Sequence, residues 1–314
     1  MKFLVIGDYI IDKHQFFETI KYDLATNTPV VKFTNYIVTP GGAGNFANEL
    51  SHLLEIDEKI VFITNIFSDY QSQFLKNVSI KKNVESVDMI VKDRKYVDNK
   101  LHHTVETSCE YEQLSEKTMM YLKNNIRHYD CVILSDYGKG VLNWDNTQSI
   151  ISICKKNKIT IAVDTKCVDY CHSSADILKI NNTTADEFLK CHAHYRTSHE
   201  EEGGICHLVN VKEDVDLGKA FKSEIISESL NIDTVIVTKG SDGYECFSDG
   251  HQINQINHPH KLCVDSTGCG DAFLAGFIKS YIDGKEIEFS LRIAADVALD
   301  AAYHIGTTQY GEQK

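Results

Sequence analysis

The chain has 314 residues, 42% hydrophobic and 25% charged, the ordinary balance of a globular protein with a full core. A formal net charge of −13 excludes the broad basic surface that nucleic-acid binding needs, and no run of 18 apolar residues offers a membrane span. Ten cysteines without a Cys-x-x-Cys pair, and a first segment too short and too soon charged for a signal peptide, predict reduced thiols in a cytoplasmic protein.

Phe3-Leu4-Val5-Ile6 reads as a buried parallel strand ending at Gly7-Asp8, with Asp12 close behind. Residues near 13–39 mix polar and β-branched types and predict strands that stand apart from the main sheet. The turn Thr39-Pro40-Gly41-Gly42-Ala43-Gly44-Asn45 then opens a helix whose apolar positions are Phe46, Leu50, Leu53 and Leu54. Asn45, at that helix start, reads equally as an N-cap or as a ligand group. Ile60–Ile63 is strand-like, and residues near 88–112 alternate again in β fashion around Arg94 and Lys95.

From about residue 115, helix and strand alternate regularly. Strands are expected at 131–136, 159–164, 177–181 and 234–238, with a last apolar helix from Phe289 to Ala302. This is the pattern of a mainly parallel sheet with helices on both faces. Several strands end in a polar residue: Asp8, Asp136, Asp164, Asn181 and Thr238. In open α/β sheets such ends share one rim, where ligands bind. A group of Cys191, His192, His194, His199, Cys206 and His207 lacks paired ligand spacing, and reads as an exposed insertion or a zinc site.

The stretch Val264-Asp265-Ser266-Thr267-Gly268-Cys269-Gly270-Asp271-Ala272-Phe273 carries the chemistry. A glycine-rich turn feeding a helix presents unpaired amides and the positive dipole end to an anion such as a phosphate. Asp271, in the first helical turn, would repel phosphate but suits a base that takes a proton from an attacking hydroxyl. Its other reading is a dipole partner. No Gly-Lys-Ser/Thr follows, so this is not a Walker A loop.

Asp265–Asp271 resembles the C-terminal signature of the ribokinase-like (PfkB) carbohydrate kinases, and Gly41-Gly42-Ala43-Gly44-Asn45 resembles their N-terminal one. Val237-Thr238-Lys239-Gly240-Ser241-Asp242-Gly243 is similar to their nucleotide-side strand and turn. A narrower likeness to bacterial D-glycero-D-manno-heptose 7-phosphate kinases rests on Gly7-Asp8 with Asp12, on Thr28-Pro29-Val30-Val31, on Ser135-Asp136-Tyr137-Gly138-Lys139-Gly140 and on Val163-Asp164-Thr165-Lys166. Thr165 stands where those enzymes have proline.

The resemblance implies a single ribokinase-like domain over residues 1–314, with a small β lid from the segments near 13–39 and 88–112. It implies ATP and Mg2+ as cofactors, a sugar phosphate as substrate, and a homodimer formed through the lid. Asp271 would be the base, with the amides of Gly268, Cys269 and Gly270 as anion hole. Asp12, Gly41, Gly42 and Asn45 would hold sugar hydroxyls, on the rim that Asp136 shares. Lys139 and Lys166, with Arg94 and Lys95, are the cations for a substrate phosphate. Asn181, Thr238, Gly240, Gly243, Ala295 and Ala298 would line the nucleotide, and Asp265 and Thr267 match where some members hold a monovalent cation such as K+.

One departure stands out. The family's Asn-x-x-Glu is missing: Thr184 follows Asn181 by three residues and Ala185 follows Asn182, so Asp186 and Glu187 are the nearest acids that could meet magnesium through water. Cys269 replaces an alanine and suggests a thiol-sensitive site. The competing readings are a kinase for another sugar or a nucleoside, and a nucleotide- or sugar-binding protein without turnover.

Overall fold

The computed structural model describes residues 1–66, 77–84, 88–107, 109–166, 172–198, 221–255 and 263–304, with backbone alone at 191–198 and 254–255. In chain order, β1 (Lys2–Gly7), β2 (Tyr9–Tyr22) and β3 (Pro29–Gly42) precede α1 (Ala43–His52). Next come β4 (Lys59–Thr64), β5 (Val78–Lys82), β6 (Ile90–Val97) and β7 (Lys100–Glu106). The alternating half holds α2 (Glu116–Asn125), β8 (Cys131–Asp136), α3 (Trp144–Asn157), β9 (Thr160–Thr165), β10 (Ile177–Asn181) and α4 (Asn182–Ser198). It continues with α5 (Lys222–Leu230), β11 (Thr234–Thr238), β12 (Tyr244–Ser248), β13 (His251–Gln255), α6 (Cys269–Ile282) and α7 (Ile287–Ala301).

The main sheet has nine strands in the order β13-β12-β11-β10-β9-β8-β1-β4-β5. All neighbours from β11 to β5 run parallel, and only β12 and β13 are antiparallel. Strand side chains alternate between faces, and β1 shows what each face meets. Phe3 and Val5 join the apolar side chains of α1, α6 and α7, whereas Leu4 and Ile6 join those of α2, α3, α4 and α5. Burial on both faces explains the continuous apolar runs Phe3–Ile6 in β1 and Cys131–Leu134 in β8.

Local sequence sets the helix boundaries. Asn143 and Asn146 form a reciprocal capping box at the start of α3, each side chain accepting the other's backbone N–H at 3.0 Å. Lys158 then closes the helix in a left-handed conformation.

Four strands form a second sheet in the order β3-β2-β6-β7, drawn from the two segments that the sequence separated from the main sheet. Both β2 and β3 are 14 residues long; their buried ends meet β1 and α1, and their far ends are largely exposed.

From β1 the chain extends to β4 and β5 on one side, and the remaining strands lie on the other, beginning with β8. The strand order therefore reverses between β1 and β8, the position where open α/β sheets place ligands. Gly42, the last residue of β3, turns the chain into α1 there with φ of +58°. A Cβ on Gly42 would lie 2.5 Å from the Asp8 carbonyl oxygen, and that oxygen already accepts the Ala43 amide at 2.9 Å. Backbone crowding and the positive φ both demand glycine. Gly42→Ala is expected to destabilise the fold by about 1–3 kcal/mol; an unmoved urea-denaturation midpoint would contradict the close approach.

Candidate active site

Asp271 lies in the first turn of α6 and is 5% exposed. Its carboxylate is gripped on both oxygens. Asn45 Nδ2 donates to Oδ2 at 2.6 Å, and the Tyr137 hydroxyl donates to Oδ1 at 2.7 Å. Asn45 comes from α1 and Tyr137 from the turn after β8. Of the two readings of Asn45, the N-cap fails: Gly42 is the cap residue and Asn45 stands inside the helix, fully buried. Its Oδ1 is buried with no hydrogen-bond partner, an acceptor suited to an incoming hydroxyl.

The start of α6 is built for an anion. Gly268 is the N-cap residue with φ of +82°, and no side chain caps the helix. One sequence-level expectation shifts here: the Cys269 amide donates to Ser266 O at 3.3 Å, which leaves it a weaker contributor to the anion hole. Burial pushes the Cys269 thiol up to about 12, with Cys263 and Asp265 adding to the shift, which argues against the expected thiol sensitivity.

Two residues that meet at this site escaped sequence reasoning. Lys179, on β10, is 4% exposed and pairs with buried Asp164 of β9 at 3.1 Å. A Cβ on Gly270 would meet Lys179 Nζ at 2.7 Å, so that ammonium lies directly against the α6 turn. Burial raises the Asp164 pKa above its ordinary value while Lys179 opposes the rise. The signal was a lysine inside the otherwise apolar strand Ile177-Leu178-Lys179-Ile180, since lysine is almost never buried unpaired. Tyr137 lay within a motif noted for Asp136 and Lys139. Only its position over Asp271 reveals a role.

Lys166 follows β9 and is exposed, yet its ammonium lies 4.0 Å from the Tyr137 ring centroid. Surrounding protein lowers its pKa from the ordinary lysine value, with Asp271 and Asp164 opposing. It is therefore close to Asp271. Lys139 pairs with Glu106 of β7, and Lys92 of β6 reaches the same carboxylate at 3.4 Å. Arg94 pairs with Asp12, whose carboxylate lies against Gly41. Lys95, one residue after Arg94 on β6, belongs to the opposite face of the second sheet.

Asp136 is turned inward. Its Oδ1 accepts the Gly138 amide at 2.9 Å, and its Oδ2 meets Thr165 Oγ1 at 3.4 Å and His172 Nε2 at 3.3 Å. It shapes the 137–140 turn from below. Asp265 Oδ1 accepts from the Thr267 amide and hydroxyl at 2.9 and 2.8 Å, and the Tyr96 hydroxyl donates to Oδ2 at 3.1 Å. Tyr96 belongs to β6, so the second sheet is tied directly to the loop before α6. His14 Nδ1 is 3.2 Å from the Tyr96 oxygen, and its Nε2 is a second buried atom without a partner.

At the ends of β10 and β11, Asn181 Oδ1 accepts the Thr184 amide at 2.8 Å and so caps α4. Thr238 ends β11 beside it, its hydroxyl donating to Ile180 O at 3.4 Å. Gly240 and Gly243 follow with φ of +61° and +84°. Ala295 is buried on α7 and Ala298 packs against the same cluster. Asp186 pairs with Lys222 at 2.6 Å and Glu187 is exposed, a donor set that fits magnesium poorly. Among the described residues no cluster of three or more His, Cys, Asp or Glu could hold a metal, and no helix is long and apolar enough to cross a membrane. The Cys/His stretch at 191–207 lies outside the described side chains.

The pfkB family carbohydrate kinase pattern matches residues 2–309. The chain thus belongs to that family, a class of ATP-dependent sugar kinases. Among its relatives is a bifunctional protein HldE from Aliarcobacter butzleri, 26% identical over 284 residues. That alignment covers 87% of this chain and 54% of the relative, so the chain spans about half the length of the curated protein it matches. Solved structures of similar fold include Arabidopsis thaliana ribokinase complexed with ribose and ATP (TM-score 0.66, 17% identity, 97% of this chain and 93% of that one). Phosphofructokinase-2 from Escherichia coli in complex with potassium is similar over the same shares, with TM-score 0.71 and 15% identity. At these identities the structures speak for the ribokinase-like fold alone.

Asp8 holds the floor of the site. Its carboxylate accepts the amides of Tyr137 and Lys139 at 3.0 Å and of Val141 at 3.1 Å. Burial raises its pKa to about 6; those amides oppose the rise and Asp136 adds to it. Between the ordinary value and about 6, the folded state binds more protons than the unfolded one, so the contribution of Asp8 to stability falls as pH rises through that window. The loss amounts to about 3 kcal/mol on passing to neutral pH. The stability of the native protein relative to Asp8→Asn should therefore shrink between roughly pH 4 and pH 7 by denaturant titration; a pH-independent difference would show that Asp8 titrates normally.

Proposed function

We propose that this protein transfers the γ-phosphate of ATP to a hydroxyl of a phosphorylated sugar, most specifically O1 of D-glycero-D-manno-heptose 7-phosphate, giving the 1,7-bisphosphate. The observation that carries the reading is Asp271, a buried carboxylate at the head of an uncapped helix with Lys179 alongside. Asp271 takes the proton from the attacking hydroxyl as the new P–O bond forms and ADP leaves. The α6 turn and Lys179 meet the charge on the transferring group. Magnesium would come with the nucleotide and neutralise its phosphates.

The sugar would lie between α1 and the second sheet, which acts as the lid. Asn45 Oδ1 and His14 Nε2, both buried and unpartnered, suit hydroxyl donors. Lys139 and Lys92, which share the single carboxylate of Glu106, suit a substrate phosphate that replaces it. The heptose assignment is supported by the motifs around Asp12, Lys139 and Lys166 and by the HldE relatives. Asp265 and Thr267 would serve a K+ ion in the loop before α6. A homodimer through the lid is supported by exposed Ile20, Tyr22, Phe33 and Tyr36 on β2 and β3.

Turnover is measured with ATP and magnesium against a panel of free and phosphorylated sugars. Asp271→Asn is expected to lose about 10²–10⁴-fold in kcat with nucleotide affinity retained. Lys139→Met should raise KM for a phosphorylated sugar and leave that for ATP unchanged. Nucleotide binding without turnover on any sugar would instead favour a binding protein, with Thr184 in place of the usual glutamate as its basis. Light scattering tests the dimer: Phe33→Asp combined with Tyr36→Asp should give monomer, and an unchanged mass would remove the lid from the interface.

A further inference from the structure

Tyr137 has a geometry that neither sugar nor nucleotide binding accounts for. Three contacts fix it: its amide donates to Asp8 Oδ2 at 3.0 Å, its ring lies beneath the Lys166 ammonium at 4.0 Å, and its hydroxyl donates to Asp271 Oδ1 at 2.7 Å. Burial, then the Asp271 charge, raise its pKa well above the ordinary tyrosine value, so the phenol remains a donor at any working pH. With Asn45 on Oδ2, the two donors define the plane of the carboxylate. An ionised carboxylate accepts about four hydrogen bonds, so each oxygen keeps a lone pair for the acceptor hydroxyl.

We propose that Tyr137 is the positioning residue of the base: its hydroxyl fixes the orientation of Asp271 by donating to one carboxylate oxygen and leaves the remaining lone pairs for the sugar hydroxyl. The inference rests on the kinase reading above. A hydrogen bond to the charged form of a carboxylate favours that form, so removing the phenol withdraws one donor from the Asp271 carboxylate. The other groups that bear on Asp271 are Asp164 of β9, Lys166 after it, Lys179 of β10 and Cys269 on α6. Asp12 of β2 acts on Tyr137 itself, and Asp8 beneath it titrates near 6. None of these is altered by removing one hydroxyl.

The test compares the native protein with Tyr137→Phe, which keeps the ring under Lys166. Asp271 is observed by carboxyl 13C NMR, its resonance assigned as the one lost in Asp271→Asn, and the acid limb of kcat/KM is recorded beside it. In Tyr137→Phe both the NMR midpoint and the acid limb should move up by about one pH unit, and kcat should fall about tenfold. Placing 3,5-difluorotyrosine at 137 makes a stronger donor of the same shape, and should move both downward. Midpoints that stay put in both variants, with only thermal stability changed, would overturn the proposal and leave Tyr137 a packing residue. The NMR titration needs no substrate, so a native protein that turns over no sugar would sink the kinase reading while the titration still decides whether Tyr137 governs Asp271.

Discussion

The structure depends on satisfying one buried carboxylate. Buried polar groups need hydrogen-bond partners. Asp271 receives its donors from two distant stretches, Asn45 on α1 and Tyr137 after β8. Both arrive because the strand order reverses between β1 and β8, which brings the exits of those strands side by side. Asp8 then locks the second stretch by accepting three of its amides, and Gly42 lets the first approach closely enough. Sheet order, glycine turn and helix start are thus one requirement expressed at three points.

Around this centre several cations have an acidic partner close by. Lys179 has Asp164, Arg94 has Asp12, and Lys139 and Lys92 divide Glu106. A half-buried charge left bare is expensive, so a resting site of matched pairs is the stable arrangement for a chain with net charge −13. It also gives an anionic ligand a way to bind by exchange. In the proposed reaction the substrate's phosphate replaces Glu106 at ammonium groups already held in place, which limits the ordering that binding must impose. The link from Tyr96 to Asp265 extends the same logic, since one hydrogen bond joins the second sheet to the loop that leads into α6.

The missing Asn-x-x-Glu falls at the start of α4. Thr184 lends its amide to Asn181 where a glutamate is usual, and Asp186 is occupied by Lys222. Both residues serve the packing of α4 and α5 against the sheet. Asp271, by contrast, has its two donors in place, and the cysteine between the site glycines has its thiol pKa raised by its surroundings.

The sequence by itself determined the alternation of strands and helices, the two glycine turns and Asp271, because backbone conformation and amphipathic period are local properties that a few residues encode. It also determined the family, through motifs in a fixed order. Tertiary structure decided what each polar side chain touches. Lys179 and Tyr137 could not be assigned from their neighbours in the chain, since their partners lie on other strands and helices. Asp136, ranked with the substrate groups by its position at a strand end, proves to face Gly138, Thr165 and His172. Asn45 fitted a cap and a ligand group equally well in one dimension. The helix start at Gly42 removes the cap reading, and the packing of α1 against α6 brings Asn45 to Asp271, because a side-chain hydrogen bond depends on distances that strand order and helix packing set.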